Sequence, residues 1–209
     1  AGYRAVHNGQ KTYNGVAILA RNALGEVACD IPGFADEQKR VLAATVEGVR
    51  VVCAYMPNGQ AVGADKYGYK LRWLAALADH LRGELQRFPK LVLLGDFNIA
   101  PDDRDVHDPV AWKDQILCSE PERAAFRRFV GLGLADAFRL FEQQPKLYSW
   151  WDYRQMGFRL NRGLRIDHIL LSAPLAGACS ACTIDKAPRK LERPSDHAPV
   201  IATLDLPGE

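Results

Sequence analysis

The sequence predicts an α/β protein in which two mixed β-sheets pack together with helices outside. Three observations carry that expectation. Short apolar and β-branched runs separated by turn residues fill the first part of the chain and return in its last third. Between them one long segment switches to helical spacing. At their junction lies KLVLLGDFNIAP, Lys90 to Pro101, whose run Leu91–Leu94 is unbroken by polar residues, the pattern of a strand covered on both faces.

In chain order, Tyr3–His7, Gly15–Arg21, Glu26–Ile31 and Arg40–Val46 read as strands with NG, LG and PGF turns between them. Val49–Met56 (VRVVCAYM) is a further buried strand, closed by Pro57-Asn58-Gly59. From Lys66 to Arg87, Leu71, Leu74, Ala75, Ala78, Leu81 and Leu85 recur at helical spacing opposite charged residues, and Pro89 ends that helix. After the central strand, the acid-rich loop Asp102–Asp108 has neither EF-hand spacing nor a turn glycine, so a solvated loop is expected rather than a calcium site. Pro109–Cys118 reads as a short helix, Ser119-Glu120-Pro121-Glu122 as a capping box opening a helix to Val130, and Leu134–Glu142 as another short helix. Strands return at Leu147–Tyr153, Arg165–Ser172, Thr183–Ala187 and Pro199–Leu206. No repeat, low-complexity tract or linker interrupts the chain, so one domain over residues 1–209 is expected.

Composition narrows the class. Apolar content of 48% and charged content of 25% are those of a globular protein, and no apolar run reaches the length of a membrane span. With no leader pattern at the start, the expected location is the cytoplasm. Between Arg139 and Arg193 there are ten Lys/Arg against five Asp/Glu, a local excess suited to an anionic partner or to a solvated basic face. The five cysteines have no finger-like arrangement; Cys179 and Cys182 have zinc or redox spacing without a second pair, so free thiols are expected.

The candidate chemistry sits at strand ends. Asp96 and Asn98 follow the central strand two residues apart, so a strand's period of two aims them alike. A turn is the competing reading, because both residue types favour one. Asp167 opens the apolar run RIDHILL, where an unpaired carboxylate is costly. Asp196 and His197 lie between Pro194 and Pro199, and an acid beside an imidazole sets its tautomer and stabilises its cation.

GDFN at 95–98, NRGLRID at 161–167 and SDHAP at 195–199 resemble the motifs of the endonuclease/exonuclease/phosphatase superfamily. AYMPN at 54–58 and SWWDYR at 149–154 are similar to its DNA-repair branch of exodeoxyribonuclease III-type nucleases, and the likeness runs in order along the whole chain. That resemblance implies a four-layer, DNase I-like sandwich and a monomeric hydrolase acting on double-stranded DNA at abasic sites or 3′ ends. It implies Mg²⁺, with Mn²⁺ as the alternative, near Asp96, Asn98 and Asp196. It assigns Asp96 to the attacking water, Asn98 to orienting and oxyanion stabilisation, His197 backed by Asp167 to the phosphate, and Tyr55 to the same phosphate. It places Asn58 and Arg165 on the DNA, and Trp150, Leu164 and Ile166 around an extruded abasic sugar. The family pattern opens with a strand carrying an Asn, a helix, and a strand ending in Gln-Glu-Thr whose Glu binds metal. The sequence from Ala1 shows no counterpart, so a partial domain of impaired activity is expected. A phosphoesterase of the superfamily acting on lipids or metabolites, and a non-catalytic DNA binder, are the competing functions.

Overall fold

The computed structural model describes residues 2–206; residue 1 and residues 207–209 of the expected domain lie outside them. The chain opens with an antiparallel hairpin of β1 (Arg4–Gly9) and β2 (Gly15–Ala20). Then come β3 (Gly25–Cys29), β4 (Val41–Val46), β5 (Val49–Ala54), helix α1 (Asp65–Arg87), β6 (Leu91–Asp96), helix α2 (Glu120–Gly131) and β7 (Ala135–Asp136). The last third holds β8 (Trp150–Trp151), β9 (Gly163–Leu164), β10 (Asp167–Leu171), helix α3 (Ala173–Gly177), β11 (Cys179–Ile184) and β12 (Val200–Leu204).

Six strands form one mixed sheet in the order β3-β4-β5-β6-β10-β7, with β5 and β6 parallel across the α1 crossover and the other pairs antiparallel. Both faces are covered, which is why its central strands read as continuous apolar runs. Val41, Ala43, Val52, Ala54, Leu91 and Leu93 pack on α1 and α2 through Trp73, Leu77, Leu81 and Phe129. Their alternates turn the other way: Leu42 and Ala44 meet Ile18 of β2, and Val92 and Leu171 meet Cys182 of β11.

The second sheet exists here as separate two-stranded pairs, β1-β2, β11-β12 and β8-β9. Among the described residues, three of the expected four layers are seen: α1 and α2 on one face of the six-stranded sheet, the sheet itself, and the β1-β2 and β11-β12 pairs on its other face. No strand of the described chain bridges β2 to β12, so their hydrogen-bonding edges do not join.

Several element boundaries differ from expectation. Pro109–Cys118 is a run of turns, because Asp114 and Leu117 adopt φ of 56° and 72°, which break a helical ladder. Leu134–Glu142 divides into strand β7 and a 3-10 turn, Ala137–Leu140, since β10 recruits Ala135 and Asp136 as an edge. The strand expected over Thr183–Ala187 begins earlier, at Cys179, where Cys182 faces the core. Among the described residues, the five cysteines are free thiols.

Candidate active site

Strand pairing creates the site. Antiparallel β6 and β10 bring Asp96, the last residue of one, opposite Asp167, the first of the other. Both carboxylates therefore reach the same rim, the usual ligand edge of an α/β sheet. Gly95 makes this close approach feasible: its φ is 134°, and a Cβ there would lie 2.0 Å from the Ala54 carbonyl oxygen of β5.

Beyond Asp96 the chain turns sharply. Asp96 Oδ1 accepts the Asn98 backbone N–H at 2.9 Å, and Oδ2 accepts Asn98 Nδ2 at 3.1 Å. Asn98 is buried with φ of 51°, so the pair forms the turn that both residue types favour, at the rim that Asp96 shares with Asp167. Its Nδ2 also donates to the Met56 carbonyl at 3.0 Å, and its Oδ1 accepts Asn58 Nδ2 at 3.0 Å.

The proline-flanked segment supplies the third group. Trp151 N–H donates to the Asp196 carbonyl at 3.1 Å and Ala198 N–H to the Ser149 carbonyl at 2.7 Å, so β8 holds His197 in place. His197 Nδ1 lies 2.8 Å from Asp167 Oδ2, and its Nε2 lies 3.9 Å from Asp96 Oδ2. Burial works against protonating His197, but the hydrogen bond and charge of Asp167, followed by the charges of Asp96 and Asp196, raise its pKa to about 9. At neutral pH it is a cation donating Nδ1–H to Asp167. Burial, reinforced by the Asp167 charge, pushes Asp96 up to about 7 against the pull of His197 and the Asn98 N–H. One poised carboxyl and one imidazolium thus stand 3.9 Å apart in the lining of a cavity of about 420 Å³, to which Asp167 also contributes.

Tyr55 is half-buried beside this cluster, its ring under the Arg40 guanidinium at 5.0 Å. Burial, then the charge of Asp96, keeps its phenol protonated by raising its pKa. Tyr55 and the exposed Asn58 line an adjoining cavity of about 700 Å³, whose rim also carries Arg40 and Lys66.

The donor atoms of Asp96, Asp167 and His197 lie within 4.8 Å of one another. A Mg²⁺ site ordinarily draws one or two carboxylates from protein, so Asp96 and Asp167 fit a hard cation by number and type, whereas the His197 imidazolium has no lone pair to add as a third ligand. The expected ligand set differs from this cluster. Asp196 stands outside the cluster, its Oδ2 accepting Trp150 Nε1 at 3.0 Å, and the Asn98 amide oxygen is turned to Asn58.

Three residues expected at DNA are elsewhere. Arg165 is 2% exposed; its guanidinium is gripped by Asp105 and Asp136 and donates to His168 Nδ1 at 3.0 Å. With its donors taken inside, it has none left for a phosphate. Leu164 and Ile166 are buried in a cluster with Val106 and Leu117, against which Trp150 packs, so they lie beneath Trp150 instead of lining an open pocket. Trp150 alone of the three reaches a cavity, of about 550 Å³, shared with His107, Trp112, Arg154 and Arg162.

Sequence reasoning missed Lys70, whose ammonium touches the Asn98 and Asn58 carbonyls. Its signal was present: Lys70 stands three and four residues before Trp73 and Leu74, a charge on the apolar stripe of α1. Among the described residues, no helix is long and apolar enough to cross a membrane.

Comparisons with known proteins find relatives along nearly the whole chain. A profile described as the endonuclease/exonuclease/phosphatase family matches residues 1–197. The chain is 36% identical to exodeoxyribonuclease III of Haemophilus influenzae over 96% of its own length and 80% of that protein's. A Neisseria 3′ phosphatase bound to a product DNA hairpin is 48% identical, with a TM-score of 0.96 over 98% of this chain and 80% of that one. An AP endonuclease from Archaeoglobus fulgidus is 34% identical, with a TM-score of 0.93 over the same shares.

Proposed function

The chain belongs to the endonuclease/exonuclease/phosphatase family, and from that premise we propose that it is a divalent-metal-dependent DNA-repair phosphodiesterase that cleans 3′ ends, removing 3′ nucleotides and 3′ phosphates. One observation carries the reading: Asp96, Asp167 and His197 converge on one rim in a chain 48% identical to a 3′ phosphatase bound to DNA. Their chemistry suits in-line hydrolysis. Asp96, held near neutrality, takes the proton of a water as its oxygen bonds to phosphorus. The His197 imidazolium, fixed by Asp167, faces the phosphate and offsets the charge that develops as the phosphorus–leaving-oxygen bond breaks. Tyr55 offers a phenol at the same edge, and Asn98, whose two amide hydrogens go to Asp96 and to the Met56 carbonyl, orients the Asp96 carboxylate. Asp96 and Asp167 are the carboxylates that would hold Mg²⁺ or Mn²⁺, which when bound neutralises phosphate charge.

Incision of double-stranded DNA 5′ to abasic sites is the second reading, favoured by the likeness to the Archaeoglobus AP endonuclease. The burial of Leu164 and Ile166 counts against it, because an extruded sugar needs open apolar walls.

The test compares duplexes carrying a 3′ phosphate, a recessed 3′ hydroxyl end or a tetrahydrofuran abasic site, each with Mg²⁺ or Mn²⁺ and with EDTA. Metal-dependent release from the first two, faster than nicking of the third, is expected. Asp96→Asn or His197→Ala should lower turnover by at least ~10²-fold while DNA binding persists. DNA binding without cleavage would overturn the reading in favour of a non-catalytic binder. Faster hydrolysis of an inositol phosphate would overturn it in favour of a metabolite phosphoesterase.

A further inference from the structure

We propose that Lys70 is a positioning residue for the Asp96–Asn98 edge of the site, acting through two backbone carbonyls and never on substrate. This rests on the functional reading above. Lys70 lies in α1 with 0% exposure, an unusual place for an ammonium. Its Nζ donates to the Asn98 carbonyl at 2.7 Å, to the Asn58 carbonyl at 3.1 Å, and to Glu122 Oε1. These partners account for all three donors of the group. Asn98 and Asn58 also join through their side chains, and Asn98 Nδ2 holds Asp96 Oδ2. One cation thus anchors the backbone from which the Asp96 orienting bonds are made.

Three further observations support the assignment. Asn98 keeps a left-handed backbone, φ 51°, a region that Asn tolerates better than most side chains and that fixed partners hold in place. A bond from a charged donor to its carbonyl supplies such a constraint. Glu122 is itself fully engaged: Oε1 accepts Leu117 N–H at 3.1 Å, and Oε2 accepts Ser119 N–H at 3.1 Å and the Ser119 hydroxyl at 2.5 Å. The carboxylate that caps α2 therefore also aims Lys70, and the two helices set the site loop together. Gly59, φ +91°, leaves room for the Lys70 stem, since a Cβ there would stand 3.0 Å from Lys70 Cδ and from Ile116 Cδ1.

A buried ion pair that served stability alone would show the same contacts, so the test separates the two roles. Lys70→Met strands the Glu122 charge; Lys70→Met/Glu122→Gln removes it and keeps the volume of both side chains. Ala78→Gly loosens the same helix without touching the site. Hydrogen exchange of the Asn98 backbone N–H, which donates to Asp96, is read against the core amides of β4. The double variant is expected to lose at least ~10-fold of that local protection and ~10-fold of kcat on the 3′-phosphate duplex, with KM nearly unchanged. Ala78→Gly should lower thermal stability and alter neither. Unchanged Asn98 exchange in the double variant, or equal losses in Ala78→Gly, would overturn the proposal. A wild-type chain that cleaves no DNA refutes the functional reading while the exchange measurement still decides the positioning role. A wild-type and a double variant of equal kcat refute the positioning role alone.

Discussion

His197 and Asp167 show how two side chains set the pH behaviour of the site. The folded-state pKa of His197, about 9, lies above its ordinary 6.5. A raised histidine pKa contributes stability that is fully present below about 6.5 and is lost as pH rises through 9. Asp96 runs the same way at lower pH: its rise from 3.8 to about 7 means that stability falls as pH climbs from about 3.8 through 7 and the buried carboxyl ionises. An NMR titration of the His197 ring in metal-free protein should give a midpoint near 9. In Asp167→Asn that midpoint should fall toward 6.5 or below, because burial then acts with only Asp96 and Asp196 opposing it. Stability measured in urea from pH 6 to pH 10 should correspondingly flatten. A midpoint unmoved by Asp167→Asn would remove Asp167 from the role described. These residues were legible because carboxylates at strand ends and an Asp-His pair between prolines are local patterns. Arg165 was misplaced because a motif gives a residue's position but not the direction its side chain takes.

At the scale of elements, β6 is where fold and site are inseparable. Its apolar run is readable as a strand because both faces are covered, by α1 and α2 on one side and by β11 and β12 on the other. Its last turn depends on Gly95, where an added methyl would meet the Ala54 carbonyl and force a backbone disfavoured for any L side chain. Gly95→Ala is therefore expected to lower unfolding free energy by at least ~2 kcal/mol in urea titrations and to disturb Asp96 as well. Near-native stability in that variant would show that β5 and β6 have more slack than their spacing suggests. Helix α1 was legible in full, from its spacing and Pro89. Pro109–Cys118 was not, because its turns rest on positive φ at Asp114 and Leu117, which carry no sequence signal.

For the whole molecule, the Arg165 network binds distant segments into one body. Asp105 follows β6, Asp136 lies in β7, Arg165 precedes β10, and His168 continues the chain of contacts to the Ile99 carbonyl at 2.9 Å. Burial, together with the charge of Arg165, lowers His168 to about 3, so it stays neutral and bridges the two sides. Arg165→Met should lower unfolding free energy by about 3–5 kcal/mol, because it strands the Asp136 carboxylate and leaves the buried Asp105 to Arg139 alone. DNA affinity should fall steeply with salt, with the same slope in wild type and variant, since this guanidinium touches no phosphate. A slope reduced by about one unit in Arg165→Met would return Arg165 to the DNA face.

The sequence alone determined the fold class, the central strand, the α1 crossover and the three acidic strand ends with their histidine. Each of these is written in short-range periodicity or in a run of a few residues. The tertiary structure alone decided that Lys70 reaches the site loop, that Arg165 turns inward, that Leu164 and Ile166 lie beneath Trp150, and that Asp196 stands outside the donor cluster. Those outcomes depend on which distant partner a side chain meets: the buried Lys70 reaches 28 residues along the chain to the Asn98 carbonyl, and Arg165 reaches 60 residues back to Asp105.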